Sequence, residues 1–257
     1  IMNEYSIGVD LGGTNLRAAA VDRQGRILEK ISVDTNFEGG RDAVIGDIVN
    51  SVNKLKRDTS THRLAGVGIG VPGFILLKEG VITNSNNLPY LENYPVRDAI
   101  EQKLGTPIIL ENDANAAALG EKWMGAGRSV DDMVLLTLGT GIGGGVVANG
   151  RLVRGANGFA GEFGHMMVQS DGLQCPCGRR GCWERYASGS ALAWIAREAV
   201  AAGRASSIVH LAGDSAAIRG EHVQQAALAG DTAKAEASLE RATKIWPQNP
   251  AVKQFAD

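Results

Sequence analysis

The sequence predicts an α/β fold of two related lobes, and three features carry that reading. Strand-like runs alternate with amphipathic helical stretches, the glycines gather at turns between strands, and one strand, glycine turn, strand, turn, strand unit occurs twice.

The first copy opens with Ser6-Ile7-Gly8-Val9-Asp10, passes a glycine turn, continues through 16–21, turns at Asp22-Arg23-Gln24-Gly25 and ends in 26–33. That is a three-stranded meander. Over 41–56, Val44, Ile45, Ile48, Val49, Val52 and Leu55 recur at helical spacing with charges on the other side, which predicts a helix packed on the meander. A buried strand at 64–71, a proline-started helix at 95–104 and a strand at 107–110 complete the first lobe.

The second lobe is expected to open at Asp113 with an alanine-rich helix to Met124 and a strand at 133–138. There Leu138-Gly139-Thr140-Gly141 leads to Asn149-Gly150-Arg151-Leu152-Val153. It echoes Asp10-Leu11-Gly12-Gly13-Thr14 leading to Gln24-Gly25-Arg26-Ile27-Leu28. The expected organisation is one lobe over 1–112, a second over 113–230 and a charged helical tail over 231–257, halted by Pro247 and Pro250. The two glycine turns are expected to face each other across a cleft.

Composition excludes several classes. With 44% hydrophobic and 21% charged residues and a net charge of -2, the 257-residue chain is neither disordered nor a polycation, and nucleic acid is not a favoured partner. The uncharged run 133–150 holds six glycines, so it reads as strands and turns and no membrane partner is expected. The start, Ile1-Met2-Asn3-Glu4-Tyr5, lacks the basic and apolar stretches of a signal peptide. Three cysteines confined to 175–182 fit a reducing compartment, so the expected location is cytoplasmic.

The glycine turns suit a phosphate chain, which needs close backbone approach, hydroxyl donors and a carboxylate near its metal ion. Asp10, Gly12, Gly13, Thr14 and Asn15 supply these in the first copy, and Thr140 and Gly141 in the second. Gly139-Thr140-Gly141-Ile142-Gly143-Gly144 formally meets the dinucleotide fingerprint. That fingerprint requires a helix next, whereas Gly145-Val146-Val147-Ala148-Asn149-Gly150 reads as strand then turn.

Glu111-Asn112-Asp113 lies between an apolar strand and an alanine-rich helix. Helix capping is one reading; the other is that Asp113 accepts the proton of a hydroxyl that attacks a γ-phosphate, with Asn112 orienting that substrate. His165, Cys175, Cys177 and Cys182 form a Cys3His set, the composition of a closed structural zinc site. Such a metal would staple a loop carrying Glu162 and Glu184, carboxylates suited to vicinal sugar hydroxyls.

Asp10-Leu-Gly-Gly-Thr-Asn15, the glycine-rich run from Leu138 to Gly145, Gly161-Glu-Phe-Gly-His165 and Cys175-Pro-Cys-Gly-Arg-Arg-Gly-Cys182-Trp-Glu184 together resemble the ROK family of sugar kinases and repressors, from about Tyr5 to Asp231. The resemblance implies two actin-like (ribonuclease H-like) lobes around a cleft that holds ATP, Mg2+ and sugar. It implies sugar contacts from Gly73, Asn87, Asn112, Asp113, Glu162, His165 and Glu184, with Asp113 as base and His165 serving both zinc and sugar. The Gly-Glu-Phe-Gly-His form, with Asn87 in Asn-Asn-Leu-Pro, is most similar to the glucokinase branch, so glucose is the expected substrate. Fructose, mannose and N-acetylmannosamine stand as alternatives.

The family also implies a homo-oligomer, and it continues past Asp231 into further strands, an adenosine loop and a final helix, so an incomplete second lobe is expected here. Repressors of the family resemble the chain behind an N-terminal DNA-reading module, for which the strand starting by Ser6 leaves no room in this sequence.

Overall fold

The computed structural model describes residues 4–12, 15–85, 88–204 and 207–229. The chain forms two compact units. One comprises Ile1–Leu135 and Gly145–Gly161; the other comprises Leu136–Gly144 and Glu162–Asp257.

In the first unit, β1 (Glu4–Leu11), β2 (Asn15–Asp22) and β3 (Ile27–Asp34) make the expected antiparallel meander. β4 (Arg63–Val71) and β7 (Ile108–Asn112) then add in parallel, giving the order β3-β2-β1-β4-β7. Alternation decides which side is buried. Along β1, Tyr5, Ile7, Val9 and Leu11 point into the core, while Ser6, Gly8 and Asp10 point away from it. The core side meets α1 (Gly40–Asp58) through Val44, Ile45, Ile48, Val52 and Leu55, and α2 (Val96–Leu104) through Val96, Ile100 and Leu104. A hairpin of β5 (Phe74–Leu76) and β6 (Val81–Asn84), which periodicity did not announce, precedes α2.

The helix α3 (Asp113–Trp123) also belongs to this unit. The division expected at residues 112 and 113 therefore falls elsewhere, and the reason is close packing. Asp113 and Ala116 rest on Gly70 of β4 at ordinary contact distance, and Ala114 and Ala118 press so close on Gly145 that a Cβ there would collide. On the sheet face away from α1 and α2, Ile109 is 70% exposed and Ile27 is 62% exposed. A hollow of about 930 Å³ lies there, lined among others by Gly8, Asp10, Gly68, Ile109, Leu119 and Arg154.

The repeat read from the sequence is present in the fold. β8 (Met133–Leu138), β9 (Ile142–Ala148) and β10 (Arg151–Val153) form a sheet in the order β10-β9-β8. The turn into β10 is made by Asn149 and Gly150, both at positive φ (50° and 72°), the backbone a two-residue hairpin loop demands.

The second unit takes the tip between β8 and β9, the cysteine-bearing loop, and the helices α4 (Glu184–Ala187), α5 (Gly189–Ala201), α6 (Ser207–Ala212) and α7 (Gly220–Leu228). Ala196, Ile208, Ile218, Val223 and Ala226 form its small core. Ser188 starts α5 by accepting the Ala191 N–H at 3.1 Å. The helical tail expected over 231–257 lies outside the described residues. Among the described residues, no helix is long and apolar enough to cross a membrane.

Candidate active site and metal centre

The first group of site residues sits where β7 passes into α3. Asn112 caps the helix, its Oδ1 accepting the Asn115 N–H at 3.0 Å, so the capping reading of this segment holds. Its amide also donates to the Gly73 carbonyl at 3.3 Å, and Gly73 adopts φ 113°, a conformation open to glycine. Asp113, the first residue of the helix, is half-buried. Burial holds its carboxyl above the usual carboxylate range and the negative charge of Asp10 adds to this, against the opposing hydrogen bond from the Ala114 N–H at 2.8 Å. Asn112 is therefore the cap, and Asp113 is set beside it.

Sequence reasoning missed what holds this corner. Glu111 is buried, and its Oε1 accepts the Asn112 N–H at 3.0 Å and the Asn115 amide at 3.2 Å. Its Oε2 takes both Nε (2.8 Å) and Nη2 (2.7 Å) of Arg154, a two-pronged ion pair across 43 residues of chain.

In the first glycine turn, Asp10 lies exposed at the end of β1, and Gly12 donates its N–H to the Asn15 carbonyl at 2.9 Å. A Cβ on Gly12 would stand 3.2 Å from that same oxygen, so the turn is tight enough to favour glycine. Gly13, Thr14 and Asn87 lie outside the described residues.

The second unit assembles two further groups. In one, Gly139 donates to the Gly141 carbonyl at 3.0 Å, and Gly189 and Ser190 donate to the carbonyls of Gly139 and Thr140, which fastens the second glycine turn to the start of α5. Glu184 Oε2 accepts the Ile142 N–H at 2.7 Å, so this carboxylate reaches the turn, beside Thr140 and Gly141. In the other group, the two nitrogens of His165 face different partners. Nδ1 lies 3.7 Å from the Cys175 sulfur, and Nε2 lies 4.0 Å from Glu162 Oε2.

The donor atoms of His165, Cys175, Cys177 and Cys182 all lie within 4.8 Å of one another. The Cys177 and Cys182 sulfurs are 3.6 Å apart, close to the roughly 3.8 Å edge of a tetrahedron with zinc–sulfur bonds of about 2.3 Å. The three thiols are free rather than paired. Burial pushes the Cys182 thiol up to about 12 and raises Cys175 as well. Cys177, itself exposed, is lowered despite partial desolvation, because the Arg179 backbone and the neighbouring sulfurs favour its thiolate. The donor types, count and spacing fit a tetrahedral metal ion, and Met166 and Met167 beside the His165 ligand are exposed.

Comparison with known proteins bears on these groups together. The sequence model of the ROK family matches residues 6–244. This chain belongs to the ROK family. Among its ROK relatives is a glucokinase of Thermotoga maritima, 42% identical over 225 residues, which are 88% of this chain and 70% of that protein. A xylose repressor of Bacillus subtilis is 36% identical over 191 residues, 73% of this chain and 49% of the repressor. Among solved structures, a ROK family glucokinase from Streptomyces griseus in complex with glucose and AMPPNP superposes with a TM-score of 0.79 at 39% identity, covering 94% of this chain and 76% of that one. The α/β architecture is accordingly the actin-like one of ROK sugar kinases, as the sequence motifs implied.

Proposed function

We propose that this chain transfers the γ-phosphoryl group of ATP to the 6-hydroxyl of glucose, with Asp113 as general base. The observation that carries the reading is the setting of Asp113. It is a half-buried carboxylate of raised pKa at a strand end, beside a capping asparagine pinned to Gly73. Phosphoryl transfer asks little covalent chemistry of a protein, so positioning and charge stabilisation dominate. A carboxylate desolvated in this way holds a proton more firmly once it accepts one, which is what the departing hydroxyl proton requires.

Gly73, Asn87, Asn112, Glu162 and His165 would orient the sugar, joined by Glu184 through Oε1, since Oε2 is engaged by Ile142. Asp10, Gly12, Gly13, Thr14 and Asn15, with Thr140 and Gly141, would hold the phosphates. Asp10 would hold Mg2+ together with ATP, and the ion would supply neutralisation of phosphate charge. Zn2+ on His165, Cys175, Cys177 and Cys182 would be structural, fixing His165 so that its Nε2 faces Glu162. The glucokinase relatives, one of them in complex with glucose and AMPPNP, support glucose and ATP as the substrates. The reading carries a cytoplasmic setting, supported by the free thiols, and a homo-oligomer, supported by exposed apolar side chains such as Ile109.

The test is formation of glucose 6-phosphate by this chain with Mg2+ and ATP, beside other hexoses. We expect product that falls by at least about 100-fold in Asp113→Ala while glucose still binds. An unimpaired rate in that variant would sink the assignment of the base. Glucose binding without turnover by folded, metal-loaded protein would leave a sugar-binding protein, the reading that the likeness to the xylose repressor favours.

A further inference from the structure

We infer that Arg154 is a positioning residue for the Asn112-Asp113 corner, acting through Glu111. The inference rests on the reading of Asp113 as base. Three observations lead to it. Glu111 is 7% exposed, and its two oxygens are shared out: one holds the Asn112 N–H and the Asn115 amide, the other takes two nitrogens of Arg154. The ion pair therefore braces the Glu111–Asn112 peptide and the Asn115 side chain, which lie on either side of Asp113 along the chain. Four donor nitrogens thus hold the Glu111 carboxylate in place.

Arg154 also opens a segment with glycines at positive φ at 155, 158 and 161 (73°, 84° and 91°). That segment returns to the same corner from a second side. Phe159 packs on Phe74 at 4.8 Å between ring centroids, next to Gly73, whose carbonyl receives the Asn112 amide. Along the chain, the segment runs directly into Glu162 and His165. Arg154 is thus the root at which the glycine-rich segment is tied to the base-bearing corner.

Glu111 is buried while the Arg154 side chain is 42% exposed, so the guanidinium supplies from the surface the charge partner that a buried carboxylate needs. Lysine offers a single point charge where arginine offers a planar fork, so a lysine at 154 is expected to hold Glu111 with less directional control.

The experiment compares wild type with Arg154→Met, Arg154→Lys and Glu111→Gln in the full chain. Hydrogen exchange is followed in peptides covering 111–116, with α1 as internal reference. Glucose affinity, kcat and KM are measured alongside. In Arg154→Met we expect the amides of Asn112, Ala114 and Asn115 to exchange about tenfold faster while α1 is unchanged. Glucose affinity should fall about tenfold and kcat by about 10- to 100-fold, the scale at which small misplacements of reacting groups act. Arg154→Lys should recover part of each loss. Unchanged exchange and glucose affinity in Arg154→Met would overturn the inference, as would exchange rising equally in α1, which marks a merely structural pair. If wild type itself fails to bind glucose, the sugar-kinase reading falls, and the exchange comparison alone still decides whether Arg154 positions this corner.

Discussion

Glu184 accepts the backbone N–H of Ile142 at 2.7 Å, so a residue from the end of the cysteine-bearing loop holds the second glycine turn in place. The two residues lie 42 apart in sequence. Room for the carboxylate exists because Gly141 has no Cβ: one built there would collide with Glu184 Oε2. A turn suited to phosphate is thus shaped by a side chain suited to sugar.

That relationship makes Gly141 and Glu184 a coupled pair. Gly141→Ala should push the Glu184 carboxylate off the turn and weaken binding of both glucose and ATP. Glu184→Ala should cost roughly 1.5–3 kcal/mol of stability, the range for a hydrogen bond to a charged group. Glu184→Gln, which keeps an acceptor oxygen, should cost less. Urea unfolding with calorimetric titration of each ligand checks the ordering, and equal losses for Gln and Ala would contradict it.

For Asp113, function and stability should oppose each other. Its folded pKa is raised by burial and by Asp10, so the folded state resists its ionisation and stability is lost as pH rises past the unfolded carboxyl pKa. Asp113→Asn keeps the oxygen that accepts the Ala114 N–H and removes the charge. The variant should therefore melt higher than wild type at pH 7, with the gap closing towards pH 4, while turnover disappears. Melting curves across pH test the sign; a variant less stable at pH 7 would refute it.

The metal centre should be separable from the first unit's core. Elemental analysis should find about one zinc per chain, and Cys177→Ser or a strong chelator should remove it. Exchange protection is expected to drop around 162–184 and to persist in α1 and β1, whose side chains have an apolar core of their own. Protection lost equally in both places would show that metal binding and the folding of the first sheet are one event.

Gly145 gives a sharper packing test. A Cβ there would stand 3.1 Å from the Ala114 carbonyl oxygen and press on Ala118, both on the helix that carries Asp113. Gly145→Val should destabilise by about 1–3 kcal/mol, as overpacking does. It should also lower kcat more than it raises the KM for ATP, because α3 must shift. A kcat equal to wild type in a destabilised variant would separate helix placement from catalysis.

Much of this was legible from residues alone. The meander, α1, α2 and the repeat at β8, β9 and β10 follow from periodicity and glycine turns, which report local conformation directly. The Cys3His set was legible because its ligand types are few and close in sequence. The β5–β6 hairpin was not, because a three-residue strand leaves too short a pattern to read.

What the sequence by itself determined is the inventory: an α/β chain of the ROK family, with Asp113, Asn112, the two glycine turns and a Cys3His quartet as its candidate chemical parts. Only the tertiary structure decided how those parts are held. It placed α3 in the first unit, joined Arg154 to Glu111, and set Glu184 against Ile142. The physical reason is range. Helix and strand periods, turn residues and clustered ligands act over a few residues and are written along the chain. The Glu111 and Glu184 carboxylates instead find their partners through packing, 43 and 42 residues away with no local mark to announce them.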